Sequence, residues 1–513
     1  MVAHAGRLLT FRETDEADNL TATYVYSTQN VPSKRDAPSG RVDVMDPSSN
    51  LLTWSTKPLI SSLSDVFLPS GYPQSVSEDY ISTYAYIFLA IKDSLQAFCS
   101  SIAGLLLLQS RSTRFAVHAN CPIPERLTRT IGVGVGDANA SPSSALLLHI
   151  LQDSSGRVAT ILFAHRVGTA LEPECKTYRL AADVFNDIAM IMDCLSPMVP
   201  AGVMRVSILS TAGVLRALCG VAGGSSKASL SAHFAKWGNL AELNAKDSSQ
   251  ETVISLIGML VGSVVVSYVT GFKATWAALL ILLAAHLSLN YAAVRAVQMT
   301  SLNRQRANII FSTLLESDSA IDLESLRAGD LSPKPKKDNA RWIILTPAQV
   351  SQQERIFHRS GALHWTTPTQ TYSLGTAEIG IPLSSFFKHG QTTRTSKTNI
   401  PMRDLATLFT HESYILYLHP TKPKSHASIL LKSNCTVHTQ LKAWMHALLA
   451  LRVLSTSPSS SIEILPVLTT TLSTVNTRFP EYMQALSDSN WNITIPALET
   501  RSGRRVTLEW VYD

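Results

Sequence analysis

Leu180 to Gly202 reads LAADVFNDIAMIMDCLSPMVPAG, and Asp183, Asn186, Asp187 and Asp193 stand inside a run otherwise apolar enough for a core helix or a bilayer. Wound as a helix, the stretch puts Asp183 and Asp187 one turn apart, on a face shared with Asn186. Carboxylates held away from water bind cations, relay protons or close ion pairs. Three readings stay open. The first is a cation or substrate site at Asp183 and Asp187. The second is a structural ion pair with Arg216 of the next apolar segment, and the third is a helix lying at an interface with its acids in water.

A second constellation occupies GGSSKASLSAHFAKWGNLAELNAKDSSQET, Gly223 to Thr252. At a helix start, the backbone N–H groups of Gly223, Gly224, Ser225 and Ser226 would cradle a phosphate, with Lys227 adding charge. The plainer alternative is a tight turn capped by Ser225 or Ser226. Asn239, Glu242, Lys246 and Gln250 recur every three or four residues and so form one helical stripe, with Glu251 beside it. The i,i+4 relation of Glu242 and Lys246 explains that spacing without a site. His233 is read as a packed or interfacial histidine before a proton relay. Together with Asp183, Asn186, Asp187 and Arg216, these residues are the candidate polar site.

Other motifs fail on spacing. IGVGVGDA lacks the third glycine of a dinucleotide fingerprint, and in GVAGGSSK the residue before Lys227 is Ser226, where a phosphate loop needs glycine. No GxSxG or HExxH occurs. The six cysteines form no CxxC and have no histidines at ligand spacing, so no metal site is expected. An ordinary enzyme signature is absent, and the expectation is a non-enzymatic protein. No basic-aromatic alternation points to nucleic acid.

Elements must position these residues, and composition says in what solvent. Charged residues make up 16% of the 513, against about 25% in a typical soluble domain. The deficit is local: residues 252–272 carry no charge, Lys273 follows, and 274–294 carry none again. Each run is about the ~20 residues that cross a bilayer. We read a helical hairpin turning at TGFKAT, with Gly258 and Gly262 as a small-xxx-small pair for close helix packing. Lys227, Lys236 and Lys246 precede the hairpin and Arg295, Arg304 and Arg306 follow it, which by the positive-inside rule puts both ends on the cytosolic side or its equivalent. In SVSEDY, Ser75 and Glu78 read as a capping box that starts a helix.

The expected fold is mainly α: a multi-pass helical membrane domain followed by a small soluble α+β domain. Its parts are a polar extension with at most a strand or two (1–63), the helical domain (64–306), a charged linker (307–342) and the α+β domain (343–513). In the last part, Leu441, Trp444, Leu448 and Leu451 share one helical face. Lys337 to Asp513 accounts for the whole formal excess of +6, which suits a face turned to the cytosol or an acidic membrane surface. No secretory or mitochondrial leader is expected from the acid-rich opening. Nothing in the residues assigns an organelle.

Five ordered blocks, FLPSGYPQSVSEDY, DSLQAF, RLAADVFNDIAM, VAGGSSKASLSAHFA and NLAELNAKDSSQETVISLIGMLVG, resemble the root UVB-sensitive family, in a fungal-type member. The resemblance implies a membrane protein without an established reaction, linked to UV-B responses and vitamin B6 homeostasis. It also implies work in pairs, hence a homo- or hetero-oligomer with a related family member. It places Asp183, Asn186, Asp187, Gly223, Gly224, His233, Lys246, Gln250 and Glu251 in matched blocks but assigns them no chemistry. No cofactor is expected, although the vitamin B6 link raises pyridoxal phosphate as a ligand for the GGSSK segment. Two alternatives accompany this reading: a secondary transporter with an intramembrane carboxylate site, and a pyridoxal-phosphate-handling enzyme.

Overall fold

A computed structural model describes residues 8–14, 20–28, 40–45, 67–69, 72, 74–77, 79–80, 95–107, 142–200, 203–328, 342–367, 370–388, 401–419, 425–456, 463–501 and 503–508. The described residues are mainly helical, with two small sheets among them. The N-terminal extension holds three antiparallel strands rather than one or two: β1 (Leu8–Thr14), β2 (Leu20–Thr28) and β3 (Gly40–Met45), with β2 in the middle.

The helical unit follows. It comprises α1 (Leu95–Leu107), α2 (Pro142–Val167), α3 (Cys175–Leu195), α4 (Val203–Phe234), α5 (Leu240–Tyr268) and α6 (Phe272–Ala296). Local chemistry sets the breaks. Between α4 and α5, Gly238 takes φ +73°, a backbone shape that side chains other than glycine rarely adopt. Between α5 and α6, Gly271 is the N-cap of α6 and its carbonyl accepts from the Thr275 hydroxyl. The hairpin turn expected at TGFKAT is therefore at 269–271. Its first arm is longer than the charge-free run, because NLAELNAKDSSQET continues as the polar first turns of α5.

Among the described residues three helices, α4, α5 and α6, are long and apolar enough to cross a membrane. Their apolar side chains point largely outward: Leu256, Met259, Leu260 and Val264 of α5 and Leu280 and Ile281 of α6 are exposed. The inner contacts are made by α3, which packs along α4 and α6, and by α1. Ala103 and Leu107 of α1 join Met190, Cys194, Leu279 and Leu283 in one buried cluster. On its other side α1 meets α5 at Gly258 and Gly262. A Cβ on Gly258 would lie 2.9 Å from the Ser101 Cβ and 3.1 Å from the Phe98 carbonyl oxygen, and one on Gly262 would lie 3.2 Å from the Ile102 Cα. The expected small-residue crossing is thus a contact within the chain, with α1 as the approaching helix. Gly258→Leu should force α1 off α5 and cost about 1–3 kcal/mol, read as a lower melting temperature in detergent. Gly104→Ala is the matched control, since a Cβ there meets nothing within 4 Å.

The SVSEDY capping box cannot be placed whole, because Glu78 lies outside the described residues. Val76 pairs with Ala235 across an isolated bridge, the Ser77 N–H donates to the Phe234 carbonyl, and Asp79 and Tyr80 are helical.

The C-terminal unit starts earlier than the charge pattern implies. Helices α7 (Arg304–Ser317) and α8 (Leu323–Ala328) fall where the linker 307–342 was expected, yet Ala307, Ile310, Phe311, Leu314, Leu315 and Leu326 belong to its core. Glu316, Glu324 and Arg327 are exposed, while Arg304 and Arg306 are buried and hydrogen-bonded, so the charge pattern hides residues that belong to the core. Residues 329–341 lie outside the described residues. Then come α9 (Pro347–Gln353), β4 (Ala362–Thr366), β5 (Thr371–Ile379), α10 (Leu383–Lys388), α11 (Met402–Leu408), β6 (Tyr414–His419), β7 (Ser425–Lys432), α12 (Val437–Ser455), α13 (Ile464–Asp488) and the short β8 (Arg505–Val506). The sheet runs β4-β5-β7-β6 with β8 also paired to β7. The β5–β7 and β7–β8 pairs are parallel and the others antiparallel.

Helix α12 is buried on all sides, not on one stripe: Ala443, Met445, Ala447, Leu449 and Ala450 are as enclosed as Leu441, Trp444, Leu448 and Leu451. Among them His446 bonds to the Tyr414 hydroxyl through Nδ1 and to the Thr471 hydroxyl through Nε2, each at 2.9 Å. Burial pushes its pKa down to about 3, whereas in the unfolded chain it titrates near ~6.5. The unfolded state therefore binds the extra proton as the medium acidifies. The stability His446 contributes is complete above the unfolded value and is lost as pH falls toward 3. Melting temperature should decline from pH 7 to pH 5, and His446→Gln should flatten that slope.

The connection from α6 to α7 is short and pinned. The Gln298 N–H donates to Asp79, Ser301 bridges to Asn492, and Asn303 donates to the Pro173 carbonyl while capping α7 through the Arg306 N–H.

Candidate functional site

One face of α3 carries Lys176, Leu180, Asp183 and Asp187, and all four are buried. This face meets α1 and α6. Asp183 accepts from the amides of Gln96 on α1 and Asn290 on α6, and from the Arg179 guanidinium at 3.3 Å. Asp187 Oδ2 lies 3.0 Å from His286 Nδ1, and the other ring nitrogen, Nε2, is 3.2 Å from Gln96 Nε2. Gln96, Asp183, Asp187, His286 and Asn290 are each no more than 6% exposed. Two atoms of this cluster, Asp187 Oδ1 and Gln96 Oε1, are buried without a hydrogen-bond partner, and both are acceptors.

Sequence reasoning found the two acids and missed Gln96, His286 and Asn290. Counting charges passes over a neutral imidazole and two amides. The signal was present all the same: His286 and Asn290 are i,i+4 in an otherwise apolar helix, so they fall on one face. Gln96 sits in the quoted DSLQAF block.

The other candidates are placed elsewhere. Arg216 of α4 pairs with Asp193, not with Asp183 or Asp187, so an ion pair of the expected kind exists but one acid further along α3. Asn186 is half-buried and its amide approaches the Met190 sulfur at 3.4 Å. Lys227 binds Asp247 at 2.6 Å and Glu251 at 3.1 Å. Gln250 donates to the Phe67 carbonyl at 2.7 Å. Asn239 is the N-cap residue of α5 without a side-chain cap bond, and Glu242 and Lys246 lie on the first turns of the same helix.

His233 Nε2 meets Asp79 Oδ2 at 2.8 Å. Burial raises the Asp79 pKa, but the bond and charge of His233, with donors from Ser77 and the Gln298 N–H, outweigh it and hold the acid below its ordinary value. The stripe around Gln250 and Glu251 therefore ties α4 and α5 to residues 67–80, and its partners are not those of Asp183 and Asp187.

The phosphate reading of Gly223, Gly224, Ser225, Ser226 and Lys227 needs correction in its geometry. The segment is the interior of α4, neither a helix start nor a turn. Its backbone N–H groups are spent on the helix ladder, and the Ser226 hydroxyl donates to the Gly223 carbonyl. With Lys227 held by two carboxylates, no cup of free donors faces a phosphate there. Among the described residues no group of histidine, cysteine and acidic side chains could hold a metal ion.

The same face of α3 reaches the C-terminal unit at its other end. Lys176 binds Glu354 at 2.5 Å, and Arg306 of α7 binds the second oxygen of that carboxylate at 2.6 Å. The Thr177 hydroxyl donates to the Ile356 carbonyl at 2.6 Å, and Leu180, Val294 and Ile356 close the contact. Burial pushes the Glu354 pKa up, but Arg306 and Lys176 override it and keep the acid ionised. Nearby Glu174, buried with one oxygen unpartnered, is shifted upward by desolvation.

Comparison with known proteins places these residues in context. The family described as the vitamin B6 photo-protection and homoeostasis domain matches residues 53–318, which include α1 to α7 and the whole cluster. RUS family member 1 of Dictyostelium discoideum is 39% identical over 263 residues, 50% of this chain and 45% of that protein. Protein root UVB sensitive 3 of Arabidopsis thaliana is 32% identical over 261 residues, 51% of this chain and 53% of that protein. The chain thus spans about half the length of these two relatives. Protein root UVB sensitive 5 of Arabidopsis thaliana is 22% identical over a longer stretch, 84% of this chain. No solved structure matches.

Proposed function

The chain belongs to the root UVB-sensitive family, and on that premise we propose that it is an integral membrane protein of vitamin B6 homeostasis, non-enzymatic, whose working site is the Asp183–Asp187–His286 cluster. One observation carries this reading: paired acids are buried between helices whose outer faces are apolar. A charge at the centre of a bilayer costs at least about 2.5–3.5 kcal/mol, and such residues are held where they act.

The cluster favours a carrier, which the sequence held as its alternative. The observation behind this choice is the joining of α1, α3 and α6 by polar groups at one level. The carrier site is narrower than first read, since Arg216 and the Gln250 stripe have other partners. Assembly with a second copy or with a related family member is part of the proposal, and the outward faces of α5 and α6 would meet it or lipid. With α4, α5 and α6 crossing, Lys236, Lys246, Arg295 and the C-terminal unit share the cytosolic-equivalent side, and Arg205 and Lys273 lie opposite.

The test is a carbonate wash of membranes together with accessibility tags at Lys273, Lys246 and Arg295. Retention in the pellet, with the Lys273 tag on the opposite side, supports the reading. Release into the wash, or all three tags on one side, overturns it. Uptake of labelled pyridoxine into vesicles carrying the protein then tests the carrier. Uptake abolished by Asp187→Asn supports it, and uptake no greater than in empty vesicles leaves the partner-protein form of the reading in its place.

A further inference from the structure

Hydrogen-bond chemistry assigns roles within the cluster. Asp183 accepts from Gln96, Asn290 and Arg179, a set of donors that suits an ionised carboxylate. An ionised carboxylate can only accept, so the proton between Asp187 Oδ2 and His286 Nδ1 resides on the ring. In a neutral imidazole the other nitrogen is then an acceptor, and the Gln96 amide N–H faces it at 3.2 Å. Each donor finds an acceptor in this state. What remains over is the Gln96 carbonyl oxygen, buried with no partner, and Asp187 Oδ1.

One added proton changes the pattern. If His286 becomes imidazolium, Nε2 gains a hydrogen that points at the Gln96 NH2 group, donor against donor. Rotating the amide by half a turn presents Oε1, the oxygen left over in the neutral state, to that hydrogen. The same rotation withdraws the amide donor from Asp183. The charged groups facing the ring are Asp183, Asp187 and Arg179 of α3; Cys219 of α4 lies by the same three. Their sum is one negative charge when His286 is neutral, and one proton from solvent cancels it.

We propose that His286 is a proton-loading group and that Gln96 transmits its charge state to α1, so that proton binding loosens α1 from α3. This rests on reading the cluster as the working site, and it names the proton as the ion to which that site is coupled. Helix α1 is the element free to respond. Among the described residues Gln96 makes its polar ties, to Asp183 of α3 and to His286 of α6, while apolar packing on α3 and α6 and the glycine crossing with α5 complete its contacts.

The experiment is hydrogen exchange on the full chain in lipid nanodiscs from pH 8 to pH 5, corrected for intrinsic rates and read by mass spectrometry on peptides covering 95–107. Protection of these peptides should fall by roughly fivefold to tenfold, the effect of one net hydrogen bond, as pH drops through the imidazole range. His286→Gln, which cannot charge, should abolish the dependence, and His233→Gln, which removes the His233–Asp79 pair, should keep it. Flat protection of 95–107 in the wild type overturns the proposal. So does a response that persists in His286→Gln. Should that variant fail to fold, exchange of the His286 ring C2 hydrogen in the wild type takes its place: an inflection between pH 5 and 8 supports the proposal, and none overturns it. The outcome is separable from the membrane reading. A pH response in protein that carbonate releases would sink the membrane assignment alone, and flat exchange in retained protein would sink the proton alone.

Discussion

Asp183→Ala is expected to destabilise the protein by about 3–5 kcal/mol, the range for breaking a buried charge pair from one side. The carboxylate is the common acceptor for Gln96, Asn290 and Arg179. Removing it takes the common acceptor from two amide donors buried between packed helices and a carboxylate from beside the Arg179 guanidinium, and each buried donor left unmade carries its desolvation cost. Asp183→Asn should be milder, because one acceptor oxygen survives. Its new NH2 group, however, faces donors, so a loss of more than about 1 kcal/mol is still expected. Thermal melting of detergent-solubilised protein, followed by size-exclusion profile, reads both variants. An alanine variant that melts with the wild type would mean that Asp183 is solvated and that the cluster does not hold the helices together.

Glu354→Ala should have an effect of similar size, about 3–5 kcal/mol, but of different character. The carboxylate neutralises two cations at once, Lys176 of the helical unit and Arg306 of the C-terminal unit, whose side chains are 7% and 2% exposed. Without it, two like charges face each other in a buried seam. Separation of the two units relieves this, so the variant should show two melting transitions and faster proteolysis in the 342–361 segment. Glu354→Leu combined with Lys176→Met removes the repulsion and should recover part of the loss, because an apolar replacement of a buried pair is often neutral. Equal stability of the single and double variants would indicate that water reaches the seam.

How far these features can be read from the chain varies by kind. Asp183 and Asp187 stand out because charge in an apolar run is costly, and the cost itself is the signal. The apolar hairpin of α5 and α6 was legible for the same reason in reverse, and Gly258 and Gly262 because only glycine permits the approach of α1. His286, Asn290 and Gln96 were not legible as a set. Each is neutral and unremarked in its own helix, and only the packing of α1 and α6 onto α3 makes them one cluster. Arg216 was assigned a partner of the right charge on the right helix. Side-chain reach and the 3.6-residue pitch, which single residues do not reveal, chose Asp193. The GGSSK segment misled because glycine and serine have high turn preference alone, and long apolar flanks carried the helix through them. The linker misled because charge was read as exposure: Glu316, Glu324 and Arg327 face out, but Asp318 is buried against Arg478 and Tyr482, and the apolar residues of α7 and α8 complete a distant core.

The pinned passage from α6 to α7 has a mechanical consequence. With residues 297–303 bonded to Asp79, Asn492 and Pro173, and α3 bolted to the same unit through Glu354, the sheet domain cannot swing as a tethered appendage. It is a pedestal on which the helices bearing Asp187 and His286 stand at fixed height and angle. Whatever docks on that pedestal acts on both helices as one rigid body, and the movable piece is whichever helix is not bolted to it.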